Sequence, residues 1–144
     1  MKGKVKKFLV KVGTVMLLIV MVGGTIVSIK EKKESENAIH IVQSGVSKIN
    51  EDSNYKEAFE KYFTNLLWFT YKNSEGVRIV GFTGKRYIHN RDTMGDYEIS
   101  YIVNENTNTF KFYKGTCNGV QLNQIDMLKI TISAFSQADS VNNY

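Results

Sequence analysis

The sequence predicts an α+β protein: an N-terminal transmembrane helix, then two helices packed on an antiparallel meander sheet of three to four strands. Three observations carry this expectation. An uncharged apolar run, Val12 to Ile29, lies between a lysine-rich start and the patch Lys30-Glu31-Lys32-Lys33. From Ile39 to Phe69, apolar residues recur at gaps of three and four. After Gly76 the apolar period shortens to two. Gaps of three and four place side chains on one face of a helix, and a gap of two places them on one face of a strand.

Val12–Ile29 is 18 residues, a helix of about 27 Å, just short of the ~30 Å hydrocarbon core. Phe8, Leu9 and Val10 extend the run, because the Lys11 stem is apolar and its ammonium snorkels to the interface. Phe8–Ile29 then reaches about 33 Å, enough to cross with some tilt. Five lysines precede Val12 and three follow Ile29, with Glu31 among those three. That excess puts the N-terminus in and the remaining chain outside the cytoplasm. A retained anchor is the preferred reading. A cleaved signal peptide is the alternative: the run exceeds the usual ~7–15 apolar residues and lacks Ala-x-Ala, but Gly23-Gly24 or Ser28 offers small residues for a cut. The expected layout is a basic stub at 1–7, the span at 8–29, a polar spacer at 30–37, an extracytoplasmic domain at 38–136 and a polar tail at 137–144.

Within the domain, Ile39, Val42, Val46 and Ile49 predict a first amphipathic helix, weakened by Gly45 and ending near Asn50–Ser53. Asn54 followed by Glu57 has the spacing of a capped helix start. Tyr55, Phe59, Tyr62, Leu66 and Phe69 then predict a long second helix that ends at Asn73–Gly76. Val77–Phe82 reads as a strand with Gly81 at a bulge, and Tyr87-Ile88 continues it or begins a short second piece. His89–Gly95 reads as a loop, Tyr97–Val103 as a half-buried strand, and Phe110–Lys114 as its partner. Asn118-Gly119 signals a tight turn. Residues 123–136 fit a helix through Ile125, Leu128, Ile132 and Phe135, or a strand through Lys129–Ser133; the helix is preferred. Strand parity places Val77, Ile79, Tyr97, Ile99, Tyr101, Phe110 and Phe112 on the helix-facing side, with Arg78, Glu98 and Lys111 opposite.

Eight lysines and one glutamate give residues 1–33 a charge of +7, against +5 for the whole chain, so residues 34–144 carry −2. The basic character is a topology signal, and no nucleic-acid partner is expected. The single cysteine, Cys117, allows no internal disulfide.

No catalytic, cofactor-binding or metal-ligating residue is assigned, and no cofactor is expected. Cys117 with His89 is a conceivable thiol and base, but Thr116–Gly119 reads as a strand entering a turn. His89–Glu98 gathers one histidine and three acids without the spacing of a calcium loop. Gly81–Arg86 carries glycines and two cations, yet its spacing is too short for a phosphate loop. Gly84 there supports a turn, with Lys85 and Arg86 solvated. His40 reads as an ordinary interfacial residue. The chain also lacks the nucleophile elbow, zincin helix and paired cysteines of common enzymes.

The order over 38–135, helices and then a curved antiparallel sheet, resembles that of cystatin-like and nuclear-transport-factor-2-like domains. Gln43-Ser44-Gly45-Val46-Ser47 departs from the cystatin Gln-x-Val-x-Gly loop, so no residue role carries over. The resemblance implies an assembly component of a bacterial envelope machine. The expectation is a single-pass, non-catalytic protein whose extracytoplasmic domain docks an envelope partner through its sheet edges or its aromatic-rich helix. The alternative is a pocket protein, or an uncommon enzyme, lined by Tyr62, Trp68, Tyr97, Tyr101 and Phe112.

Overall fold

The computed structural model describes residues 30–140. The basic stub and the expected span Phe8–Ile29 lie outside the described residues, as do 141–144. Among the described residues, no helix is long and apolar enough to cross a membrane. The chain divides into two compact units, Met1–Ser35 and Glu36–Tyr144. In the first, residues 30–35 are helical, and Lys30 and Glu34 stand one turn apart with 3.9 Å between their charges. The second holds the α+β fold.

In this unit, residues 36–43 form helix α1 and bury Ala38, Ile41 and Val42. It stops at residue 43, short of the end near Asn50–Ser53 that the apolar spacing predicts. Gly45 explains the stop. Its amide bonds back to the Val42 carbonyl at 3.1 Å, and the Phe110 ring occupies the space where a side chain would begin, 2.7 Å from an added Cβ. The chain turns there into a small hairpin, β1 (Val46–Ser47) and β2 (Asn50–Asn54). Val46 and Ile49 are therefore exposed rather than on a buried helix face.

Helix α2 (Tyr55–Tyr62) begins as its sequence requires. The Asn54 side chain accepts from the Glu57 amide at 2.9 Å, and the Glu57 carboxylate accepts from the Asn54 amide, a closed capping box. The helix is half its expected length. Phe63 is already extended and Asn65 is left-handed with φ 52°, and Thr64–Lys72 forms strand β3. Leu66–Phe69 was legible as helix because Leu66-Leu67-Trp68-Phe69 is apolar at every position, so periods of two and 3.6 are both present. Pairing decides: the aromatic and β-branched residues from Trp68 to Tyr71 lie directly opposite β4.

Strands β4 (Arg78–Ile88), β5 (Thr93–Asn104), β6 (Thr109–Cys117) and β7 (Val120–Gln121) complete an antiparallel sheet of order β3-β4-β5-β6-β7. The meander has five strands rather than three or four, because β3 joins it and β7 adds a short rim. Most of the expected loop at His89–Gly95 is structured, as a 3-10 turn at His89–Arg91 and the start of β5. The Asn118-Gly119 turn is present, with φ of 51° and 76°, as a two-residue hairpin of this hand requires. Its Asn118 side chain accepts from the Asp96 amide at 2.8 Å. The ambiguous last segment is helix α3 (Gln124–Ser140), which includes the first part of the expected tail. Its start is capped by Asn123, which accepts from the Asp126 amide at 2.8 Å.

The three helices cover one face of the sheet. Val80 pairs with Tyr101, Phe82 with Ile99, and Phe110 with Val103; these join Ala38, Val42, Ala58, Phe59, Ala134 and Phe135 in one core. Tyr55 is its hub, meeting the rings of Phe59, Phe110 and Phe135 edge-on at 5.0–5.4 Å. The parity expected for β5 and β6 holds, and that for β4 does not. Val77 precedes the strand, Ile79 lies on the outer face, and Arg78 shares the helix-facing side with Val80. Both parities of Val77–Phe82 are apolar, so a one-residue slip was not visible in the pattern. Arg78 is buried and its Nε donates to Glu105 at 3.2 Å, which offsets the desolvation of its charge.

The outer face has no second layer among the described residues. Its own aromatics roof it. Phe69 lies over Gly81 so closely that an added Cβ would sit 2.5 Å from the ring. Tyr71 runs near-parallel to Phe69 at 6.3 Å, directly opposite Ile79. Gly81 is thus a contact glycine in a regular ladder, not a bulge.

Candidate functional site

The polar features singled out in the sequence are dispersed by the fold. Cys117 ends β6 opposite Tyr97, half-buried. Burial, and then a hydrogen bond with the Cys117 thiol, push the Tyr97 hydroxyl up to about 12. His89 is engaged elsewhere, edge-on to Tyr87 at 5.0 Å, while the Tyr87 hydroxyl donates to Asp92. The thiol therefore has a phenol at hand, which is not a base for it at neutral pH. Among the described residues, no group of three or more His, Cys, Asp or Glu could hold a metal ion. His40 is exposed on α1, and its carbonyl accepts from the Ser44 amide and hydroxyl at 2.9 and 2.7 Å.

Gly81–Arg86 is strand, not loop. Gly84 supports no turn: it lies against Phe63, whose Cβ would be 2.9 Å from a side chain there. Lys85 pairs with Asp96 at 2.7 Å in an exposed bridge, worth little to stability. Arg86 is not simply solvated. Its guanidinium stacks on the Tyr62 ring at 3.3 Å and donates to the Tyr62 carbonyl at 3.0 Å.

Among the described residues, concavities border the sheet, and two of them include residues named above. One, of about 440 Å³, lies among β6, β7, the 3-10 turn and α3, with Cys117, Tyr97, Arg91, Val120, Asp126 and Lys129 in its walls. The other, of about 490 Å³, includes Leu67, Thr83 and the Lys85–Asp96 bridge. Tyr97 borders both. The remaining expected lining aromatics, Tyr62, Trp68, Tyr101 and Phe112, pack into or against the core and border neither.

The feature that the sequence reading passed over is apolar exposure. Ile125, Leu128 and Ile132 line one side of α3 and are 64, 47 and 40% exposed. Of the four residues that predicted this helix, only Phe135 is buried. The buried face is formed by Met127, Thr131, Ala134 and Phe135. The signal was present: α3 is apolar on two faces, and a two-layer domain covers one. The aromatic-rich helix expected to dock partners is instead α2 followed by β3, and its rings at Phe59 and Phe63 are inside.

No protein-family model, curated protein or solved structure matches this chain.

Proposed function

We propose that this is a single-pass membrane-anchored protein whose extracytoplasmic α+β domain is a non-catalytic docking module for a protein partner in the cell envelope. One observation carries the docking reading: the bare apolar face of α3, Ile125, Leu128 and Ile132, on a helix whose other face already fills the core. An amphipathic face of this spacing suits a partner's groove or helix. The anchor rests on the lysine-flanked run Phe8–Ile29.

The test has two arms. Full chain carrying a photo-crosslinking residue at Leu128 is irradiated in intact cells; a discrete adduct, lost in Ile125→Ser/Ile132→Ser, is expected. No adduct with correctly inserted protein rejects the docking face. Cys117 is labelled with a membrane-impermeant maleimide in intact and lysed cells, alongside the mass of the mature chain. Labelling only after lysis rejects the topology, and a shortened mass replaces the anchor by a cleaved signal.

A second reading, a small-ligand pocket protein or an uncommon enzyme, is favoured by the cavity holding Cys117 and Tyr97 beside Arg91 and Lys129. Its walls are apolar with two cations, Arg91 and Lys129, against one acid, Asp126, a balance that suits a small apolar carboxylate. Thermal shifts of the full chain with decanoate, lost on Arg91→Ala/Lys129→Ala, would support it, and no shift would retire it.

A further inference from the structure

We propose that strand β3 is a self-association edge, at which two copies of this chain pair antiparallel about Phe69 to make one continuous ten-stranded sheet. This goes beyond the docking of a partner on α3 and holds whether or not the anchor is retained.

The two ends of the sheet are unequal. On one side β7, two residues long, covers only Thr116 and Cys117 of β6, and the rest of that edge carries Lys111 and Lys114, exposed charges of the kind that discourage further pairing. On the other the sheet ends with β3, nine residues long and paired on one side only among the described residues. The outer backbone groups of a strand so placed are a template for another strand. The usual guards are missing from it. Thr64–Lys72 contains no proline, and its single charge, Lys72, is at the end. Its irregularity, between Thr64 and Leu67 with Asn65 left-handed, precedes Leu67–Lys72, which pairs with β4 without interruption.

Self-complementarity selects the occupant. Leu67 and Tyr71 are exposed, at 69 and 44%, and share the outer face with Phe69. They flank Phe69 two residues to either side. A two-fold axis through Phe69 therefore sets each Leu67 opposite the other copy's Tyr71, so both exposed side chains are covered by one operation. A one-residue shift would oppose residues from different faces and is excluded by the pleat. Charge agrees with the antiparallel sense. Lys72 falls opposite Leu66 of the second copy, which keeps the two ammoniums ~20 Å apart, beyond the ~8 Å screening length. A parallel, in-register pair would set them side by side. The axis is normal to the sheet, so the helical layers of both copies stay on the same side and both α3 faces stay open. Each contact is reciprocal, as a closed two-fold dimer requires.

The test is a disulfide pairing specific to this register, in full-length protein with Cys117→Ser. Leu67→Cys and Tyr71→Cys chains are expressed separately and together, oxidised, and run without reductant. Directly opposed residues are ~4.5–5.5 Å apart between Cα atoms, within disulfide reach, whereas Leu67 to its own copy is ~14 Å. A disulfide dimer is expected only on co-expression, together with a dimer mass for the Cys117→Ser parent in detergent. Leu67→Glu/Tyr71→Glu, at two exposed positions, is expected to keep the circular dichroism of the parent and to sediment as a monomer. A monomeric parent overturns the proposal. So does equal crosslinking of the single variants alone, or a Leu67→Glu/Tyr71→Glu chain that is folded and still dimeric.

Discussion

Replacing Gly81 by alanine separates the observed fold from the one that the apolar spacing suggests. If Leu66 and Phe69 were on a helix, no ring would lie on Gly81 and only the Ile99 carbonyl oxygen would oppose a new methyl, so changes at Phe69 and Gly81 would be independent of each other. In the structure the new methyl meets the Phe69 Cζ at 2.5 Å and the Ile99 carbonyl oxygen at 2.9 Å. The ring has Tyr71 at 6.3 Å beside it, and the carbonyl is held in the β4–β5 ladder, so neither yields freely. Overpacking of this kind costs about 1–3 kcal/mol. For a unit of this size that lowers Tm by roughly 4–12 °C. The assay is thermal unfolding of the full chain in detergent, followed by circular dichroism, for wild type, Gly81→Ala, Phe69→Ala and the double variant. Phe69→Ala makes room for the methyl, so the double variant is expected to lose less than the two singles combined, by about 0.5–2 kcal/mol of coupling. A Gly81→Ala chain as stable as wild type, or a strictly additive double variant, would refute the placement of β3 against β4.

Asn54→Ala removes the capping box of α2 and is expected to cost about 1 kcal/mol in urea unfolding, while Asn54→Gly costs only a few tenths. Arg86→Met loses both the stack on Tyr62 and the bond to its carbonyl, and is expected to cost about 1–3 kcal/mol. Arg86→Lys does not restore it, because an ammonium does not reproduce the planar stack; full recovery of stability by lysine would contradict this geometry. Alkali should unfold the domain through its phenols. Burial raises Tyr55, puts Tyr101 well above the usual value of 10.0, and with Cys117 brings Tyr97 up to about 12. A folded-state value above the unfolded one means that this stability is complete below about pH 10 and is lost as pH rises from 10 through 12. Tm measured from pH 8 to 12 is expected to fall over that window and less steeply in Tyr97→Phe; a flat profile to pH 12 would be inconsistent with buried phenols.

The elements legible in the sequence were those written in local chemistry. Asn54 with Glu57, and Asn118 with Gly119, specify a helix start and a turn through bonds within a few residues, and both are present. The helix at Gln124–Ser140 followed from Ile125, Leu128, Ile132 and Phe135, although those residues misidentified its buried side. What the sequence concealed depends on distant partners. Gly45 ends α1 because Phe110 is packed on it, and Phe110 is 65 positions away. Leu66–Phe69 is strand because β4 is beside it, and Ile79 faces outward because Phe69 needs Gly81. For the candidate surfaces the limitation was similar. Apolar periodicity locates a face that prefers to be covered, while the number of faces a domain can cover is a property of the assembled layers.

The position of Phe135 has a consequence for the order of synthesis. Phe135 is fully buried against Tyr55, and its carbonyl accepts from Asn50, 85 positions earlier. The meander from Thr64 to Gln121 is built from neighbouring strands and needs only short loops to close. The core needs one closure across most of the domain, which costs more chain entropy and comes later. A chain delivered N-terminus first would therefore hold a complete sheet with Tyr55 and Tyr101 still wet until its last helix arrived. During that interval the β3 edge and the unfinished core are exposed together, and a stop codon anywhere before Met127 would make the condition permanent.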